Sequence, residues 1–155
     1  MKRVLSWLLV LVWLIIIFML SNMDSLESNK KSMKTINKVI EKTIDKSNDI
    51  GIINSNINKN KIDNITIKLN VPMRKCMHFL EYFILSILLL NAINIYNKKV
   101  YIINIILCLI FSSFDEIHQI FIFGRSAKIL DVLIDMSGSI VGELIFILFK
   151  KRRSS

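Results

Sequence analysis

The chain has 155 residues, 53% of them apolar, and a mean hydropathy of +0.51, which allows one domain and is too apolar for an ordinary soluble fold. The formal charge of +9 resides on Lys and Arg that are scattered or stand at the ends of apolar runs, with no basic stripe interleaved with aromatics, so a nucleic-acid partner is excluded. Cys76 and Cys108 lie in apolar segments without the paired spacing of a zinc site; they read as small buried hydrophobes and exclude a disulfide framework.

Lys2 and Arg3 precede an apolar run from Val4 to Leu20 that is interrupted only by Ser6. Its length suits a single membrane crossing. Ser21, Asn22 and Met23 offer no small-x-small cleavage site, so an uncleaved anchor over 1–20 is expected rather than a cleaved signal peptide.

Residues 21–71 turn polar. Ile36, Val39, Ile40 and Ile44 recur at helical spacing on a charged background and predict an amphipathic helix over about Ser32 to Lys46. Ile65, Ile67, Leu69 and Val71 alternate with Thr66, Lys68 and Asn70, a period-2 pattern that reads as a short strand or a frayed helix.

Pro72 is the only proline, and it is expected at the first turn of a second apolar helix reaching Tyr96. Arg74, Lys75, His78, Glu81 and Tyr82 stand near its start, and residues three and four apart share a face, so Arg74, His78 and Glu81 or Tyr82 form one stripe. A third segment follows Lys98 and Lys99. Val100 to Phe114 is short for a crossing at about 1.5 Å per residue, so this helix must run on into Asp115 to Phe121. The fourth segment, about Ile129 to Phe149, carries Asp131 and Asp135 four apart, then Gly138 and Gly142 four apart, and ends in Lys150, Lys151, Arg152 and Arg153. The paired glycines suit close helix contact within a membrane.

An all-α, integral membrane bundle of four transmembrane helices is therefore expected, with residues 21–71 as an extracytoplasmic first loop, 72–149 as a three-helix core and 150–155 as a basic tail. Lys2 and Arg3, Lys98 and Lys99, and the terminal basic cluster fall on one side, which the positive-inside rule makes cytoplasmic for both termini. Alternating helix direction then gathers Arg74, Lys75, His78, Asp115, Glu116, His118, Gln119, Arg125, Asp131 and Asp135 at the opposite face. Ionisable groups at such a depth are costly and mark a functional site by default.

These residues carry a resemblance. Arg74, Lys75, His78, Phe79 and Tyr82 match an Arg-Lys-x-x-His-Phe-x-x-Tyr block, and Asp115, Glu116, Gln119, Phe121, Gly124 and Arg125 match Asp-Glu-x-x-Gln-x-Phe-x-Pro-Gly-Arg. Asp131, Asp135, Gly138 and Gly142 complete a pattern over about half of the chain that resembles the VanZ-like family. Phe123 departs from it by replacing the proline before Gly124, which loosens the turn that places Arg125. The resemblance implies a bacterial plasma-membrane protein of the cell envelope, connected in some members with lowered susceptibility to teicoplanin-type glycopeptides, and it implies no biochemical activity.

The residues themselves leave several uses open. Arg74 and Arg125 can pair with Asp115, Glu116, Asp131 and Asp135 and lock the helices. A ligand site can form instead, with Arg125, Arg74 and Lys75 holding the phosphate of an anionic lipid or lipid-linked cell-wall precursor and Gln119, His78, Tyr82 and the carboxylates orienting it. An envelope-lipid hydrolase or transferase would draw on Asp115, Glu116, His118 or His78 as acid and base. Ion-coupled transport through Asp115 and Asp135 is a fourth use, for which four helices are few without a homo-oligomer. No His-x-x-x-His or similar ligand spacing occurs within one helix, so no metal or other cofactor is assigned; a metal would draw on His78, His118 and one of the four carboxylates.

Overall fold

The computed structural model describes residues 2–23, 25–49, 59–93, 95 and 97–154, and among them finds five helices and no strand. The helices are α1 (Lys2–Ser21), α2 (Ser25–Asp49), α3 (Lys59–Ile93), α4 (Lys98–Gln119) and α5 (Ile129–Ser154). Four contain stretches long and apolar enough to cross a membrane: Arg3–Ser21, Thr66–Ile93, Lys98–Gln119 and Ile129–Arg152. The α4 helix includes Asp115 and Gln119, as its short apolar run requires. Its 22 residues extend about 33 Å, enough for a hydrocarbon core of about 30 Å. Asn97 caps its start, its side chain accepting from the Val100 amide at 2.9 Å.

The chain divides into two units, Met1–Asp24 with Lys75–Ser155, and Ser25–Arg74. In the first, Val10 and Ile17 of α1, Tyr82, Leu85, Leu89 and Ala92 of α3, and Cys108 of α4 form the apolar core. Large apolar side chains on the outer faces, among them Leu8, Ile102, Ile106, Leu133 and Leu144, are exposed. In water this would be an aggregation surface; on helices of spanning length it is the surface lipid covers. Trp13 Nε1 donates to the Glu81 carbonyl at 2.9 Å and ties α1 to α3. At Gly138 and Gly142, α5 lies against the α3 backbone: a Cβ on Gly142 would come to 2.5 Å from the Phe83 carbonyl oxygen, and one on Gly138 would overlap that of Phe79.

A polar layer crosses this bundle. Asn104 donates to Ser86 Oγ at 2.8 Å and to Glu143 Oε2 at 2.9 Å, joining α4, α3 and α5. Glu143, a lone acid by its sequence context, is thus an interhelical acceptor.

In the second unit α2 is longer than the amphipathic pattern alone indicates. Ile36 is buried and Val39 exposed. The stretch with period-2 alternation is helical. Its apolar members Ile67, Leu69 and Val71 are exposed, so no strand face is buried, whereas Thr66 and Asn70, one helical turn apart, bond Asn37 and Asn29 of α2. Pro72 accordingly lies inside α3 rather than at its first turn. The carbonyl of Lys68 that it leaves without an amide belongs to an exposed residue, and water can meet it there. Both cysteines are free; Cys108 is buried as expected, but Cys76 is exposed on the outer face of α3.

Candidate functional site

The buried residues of α4 are Val100, Asn104, Cys108, Ser112, Asp115, Glu116 and Gln119. They recur every three or four positions, and all but Val100 and Cys108 are polar, so this helix turns a hydrogen-bonding stripe inward where a soluble helix would turn leucines. Burying such groups without partners costs several kcal/mol in an apolar medium. The partners come from α3, α5 and the connection after α4.

Asp135 is the best enclosed of them, with no solvent exposure. Ser112 Oγ donates to its Oδ2 at 2.6 Å, and His78 Nδ1 stands 3.4 Å from its Oδ1. The same imidazole nitrogen is 4.0 Å from Glu81, one turn along α3. Asp115 Oδ2 accepts from Gln119 at 3.1 Å. Glu116 Oε2 accepts the Lys128 amide at 2.7 Å, at the start of α5, where a helix N-terminus favours negative charge. His78, Asp115 and Glu116 each bring one donor atom to within 4.8 Å of the others. The metal set considered from sequence combined His78 with His118; the fold leaves His118 out, because the side chain points towards α1 and packs on the Phe18 ring at 4.8 Å between centroids.

The connection answers the question raised by Phe123. The Ile120, Phe121 and Ile122 amides bond back three residues to Ile117, His118 and Gln119, and Arg125 donates its amide to Ile122 at 3.1 Å. Gly124 sits at φ 73°. That is the left-handed conformation a type II turn needs at its third position, so glycine closes the turn that proline would have prepared. Arg125 is thereby aimed at the end of α1, where its guanidinium donates to the Ser21 carbonyl at 3.1 Å. Lys128 reaches Glu116 through its backbone and not its charge. Lys128→Ala should therefore leave stability within about 0.5 kcal/mol, whereas Lys128→Pro, which deletes the amide hydrogen, should cost roughly 1.5–3 kcal/mol in thermal unfolding.

Of the residues singled out from sequence, Lys75, His78, Tyr82, Asp115, Glu116, His118, Gln119, Arg125, Asp131 and Asp135 all belong to the first unit, and Arg74 to the second. Lys75 is exposed and Asp131 partly buried. Sequence reading missed Ser112, Ser86 and Asn104, although the three- and four-residue spacing of polar groups along α4 is a visible signal. It had no signal for the Lys128 amide.

Beside the carboxylates lies a cavity of about 320 Å³. Leu14, Ile17 and Phe18 of α1 and Phe111 and Phe114 of α4 line it with apolar groups, together with Tyr82, Asp115 and His118. Two of its lining residues also carry buried polar atoms without a hydrogen-bond partner, Tyr82 Oη and His118 Nδ1. Native buried polar atoms are nearly always satisfied, so these two are exceptions within the described residues.

Comparison with curated proteins and with solved structures returned no match. The VanZ/LLP1 family model matches residues 6–150, which takes in all four spanning helices, the paired glycines and every residue of the polar site. With this match over nearly the whole length, the chain belongs to the VanZ/LLP1 family.

Proposed function

We propose that this VanZ/LLP1-family membrane protein binds an anionic, lipid-linked component of the bacterial cell envelope at the polar end of its helix bundle. The observation that carries the reading is a cavity lined mainly by apolar side chains, two of whose other lining residues, Tyr82 and His118, hold buried polar atoms that no protein group satisfies. An amphiphile meets both demands, with a hydrocarbon chain against Leu14, Phe111 and Phe114 and a headgroup against Tyr82, His118 and Asp115. Lys75, Arg125 and Lys128 lie within about ten residues of Tyr82 or His118 in the sequence, and their charge suits phosphate. The basic residues at 98–99 and 150–153 lie at the opposite helix ends, so the positive-inside rule puts the site on the outer side of the plasma membrane, where such precursors are used. Altered susceptibility to teicoplanin-type glycopeptides is the cellular effect this binding would have.

The test is binding of a labelled polyprenyl phosphate by the chain reconstituted in lipid discs. Tyr82→Phe keeps the shape of the cavity and should weaken binding about 5- to 10-fold, the worth of one hydrogen bond. Leu14→Trp, which fills the cavity, should weaken it more, and the lipid-facing Leu144→Trp should not. Binding that is absent in the parent chain, or equal in all of these, would remove the proposal. A role as a charge-locked bundle is favoured instead by the interhelical contacts of Asp135 and Glu143, and it predicts no such ligand at all.

A further inference from the structure

We propose that His78, Asp115 and Glu116 form a divalent-cation site between α3 and α4. The inference stands on side-chain geometry and does not require the amphiphile reading. The three donor atoms lie within 4.8 Å of one another. Atoms bound at about 2.0–2.2 Å to one ion are separated by roughly 3–4 Å, so a side-chain adjustment of about 1 Å closes the set.

Two observations distinguish this cluster from an ordinary acidic patch. The first is an unused ligand atom: Glu116 is only 3% exposed, its Oε2 is taken by the Lys128 amide, and its Oε1 is buried without a partner. A carboxylate oxygen enclosed in this way needs a cation or a donor, and His78 and Asp115 bring ligand atoms to within 4.8 Å of this carboxylate. The second is the outer support of each ligand. His78 turns Nδ1 toward the buried carboxylate of Asp135, itself held by Ser112, which leaves Nε2 to bind the ion. Asp115 is oriented by Gln119, and Glu116 by the α5 amide. A carboxylate behind a ligating imidazole, with hydrogen bonds fixing the ligating carboxylates, is how metal centres hold their first set of ligands in place.

One imidazole and two carboxylates suit Zn²⁺ or Mn²⁺ better than the all-oxygen sites of Ca²⁺. Three protein ligands also leave a coordination position for water or a phosphate oxygen.

The experiment is a titration of purified full-length chain in detergent, stripped with chelator, with Zn²⁺ followed by elemental analysis and with Mn²⁺ followed by its electron spin resonance. One equivalent of at least one ion should bind. His78→Ala and the near-isosteric Glu116→Gln should each lower affinity more than about 100-fold, and Asp135→Asn, which removes no ligand, about 10- to 100-fold. Glu143→Gln and Cys76→Ser should leave it unchanged. No stoichiometric ion in the parent chain, or affinity unaltered by both His78→Ala and Glu116→Gln, would overturn the assignment. Because the parent chain is measured directly, misfolding of a variant cannot mask a negative result.

Discussion

Replacing Gly138 by alanine is expected to destabilise the helix bundle by about 2–3 kcal/mol, the upper part of the range for overpacking. The new methyl would overlap the Phe79 carbonyl oxygen and stand 3.0 Å from its carbon and 3.2 Å from its Cα. These are backbone atoms of a helix, so no rotamer change can admit it; α5 must move away from α3. Separation there also draws Asp135, three residues earlier on α5, away from His78 on α3. Gly142→Ala should behave alike, since its Cβ would meet the Phe83 carbonyl group in the same manner. Small residues are what allow two membrane helices this approach. Thermal unfolding of purified protein in detergent checks it, with the exposed Ile140→Ala as the control that should change little. Wild-type stability in both glycine variants would mean that α3 and α5 do not pack at these positions.

Asp135→Ala is expected to cost about 3–5 kcal/mol, the loss that follows when one member of a buried polar or ionic pair is removed. Asp135 is fully enclosed and joins three helices: it sits on α5, accepts from Ser112 of α4 and faces His78 of α3. Alanine leaves the serine hydroxyl and the imidazole nitrogen without a partner in a region where water cannot replace it. Asp135→Asn keeps an acceptor oxygen and the volume, and should lose less than half as much. The same thermal assay separates the two, and an Asp135→Ala protein as stable as its parent would show that this carboxylate holds nothing together.

Both variants bear on the proposed sites, because those sites are built from residues of the same polar cluster. His78 and Asp135 join α3 to α5, yet Glu116 Oε1, Tyr82 Oη and His118 Nδ1 are buried without a hydrogen-bond partner. A bundle needing only mutual charge locking would have paired these atoms. They are instead left without partners, Glu116 Oε1 beside His78 and Asp115 and the other two on residues that line the cavity.

How legible this was differs by feature. The inward stripe of α4 could be read from Asn104, Ser112, Asp115 and Gln119, because a polar residue every three or four positions in an apolar helix can only face the interior. Gly138 and Gly142 announced a close contact, but Phe79 and Phe83 could not be named as what they touch. Where a turn with Phe123 in place of proline puts Arg125 was open in the sequence; Gly124 closes that turn, the guanidinium donates to the Ser21 carbonyl of α1, and the Lys128 backbone amide donates to Glu116. The alternation from Ile65 to Val71 left a short strand and a frayed helix both open, because period 2 is a local pattern, and the stretch is helical. Ile67, Leu69 and Val71 proved exposed, and the bonds of Thr66 and Asn70 to α2 follow the helical repeat.

The sequence by itself determined that four segments have membrane-spanning length and that ionisable groups cluster at the ends of three of them. Those properties follow from hydropathy and from a 3.6-residue period, both of which act within a segment. Only the tertiary structure decided which hidden groups meet: His78 with Asp135, Glu116 with the Lys128 amide, and Asp115 with His78 and Glu116 around a common point. Such meetings depend on how each helix is rotated about its own axis against its neighbours. That rotation is set by contacts such as glycine against carbonyl, between residues far apart in the chain.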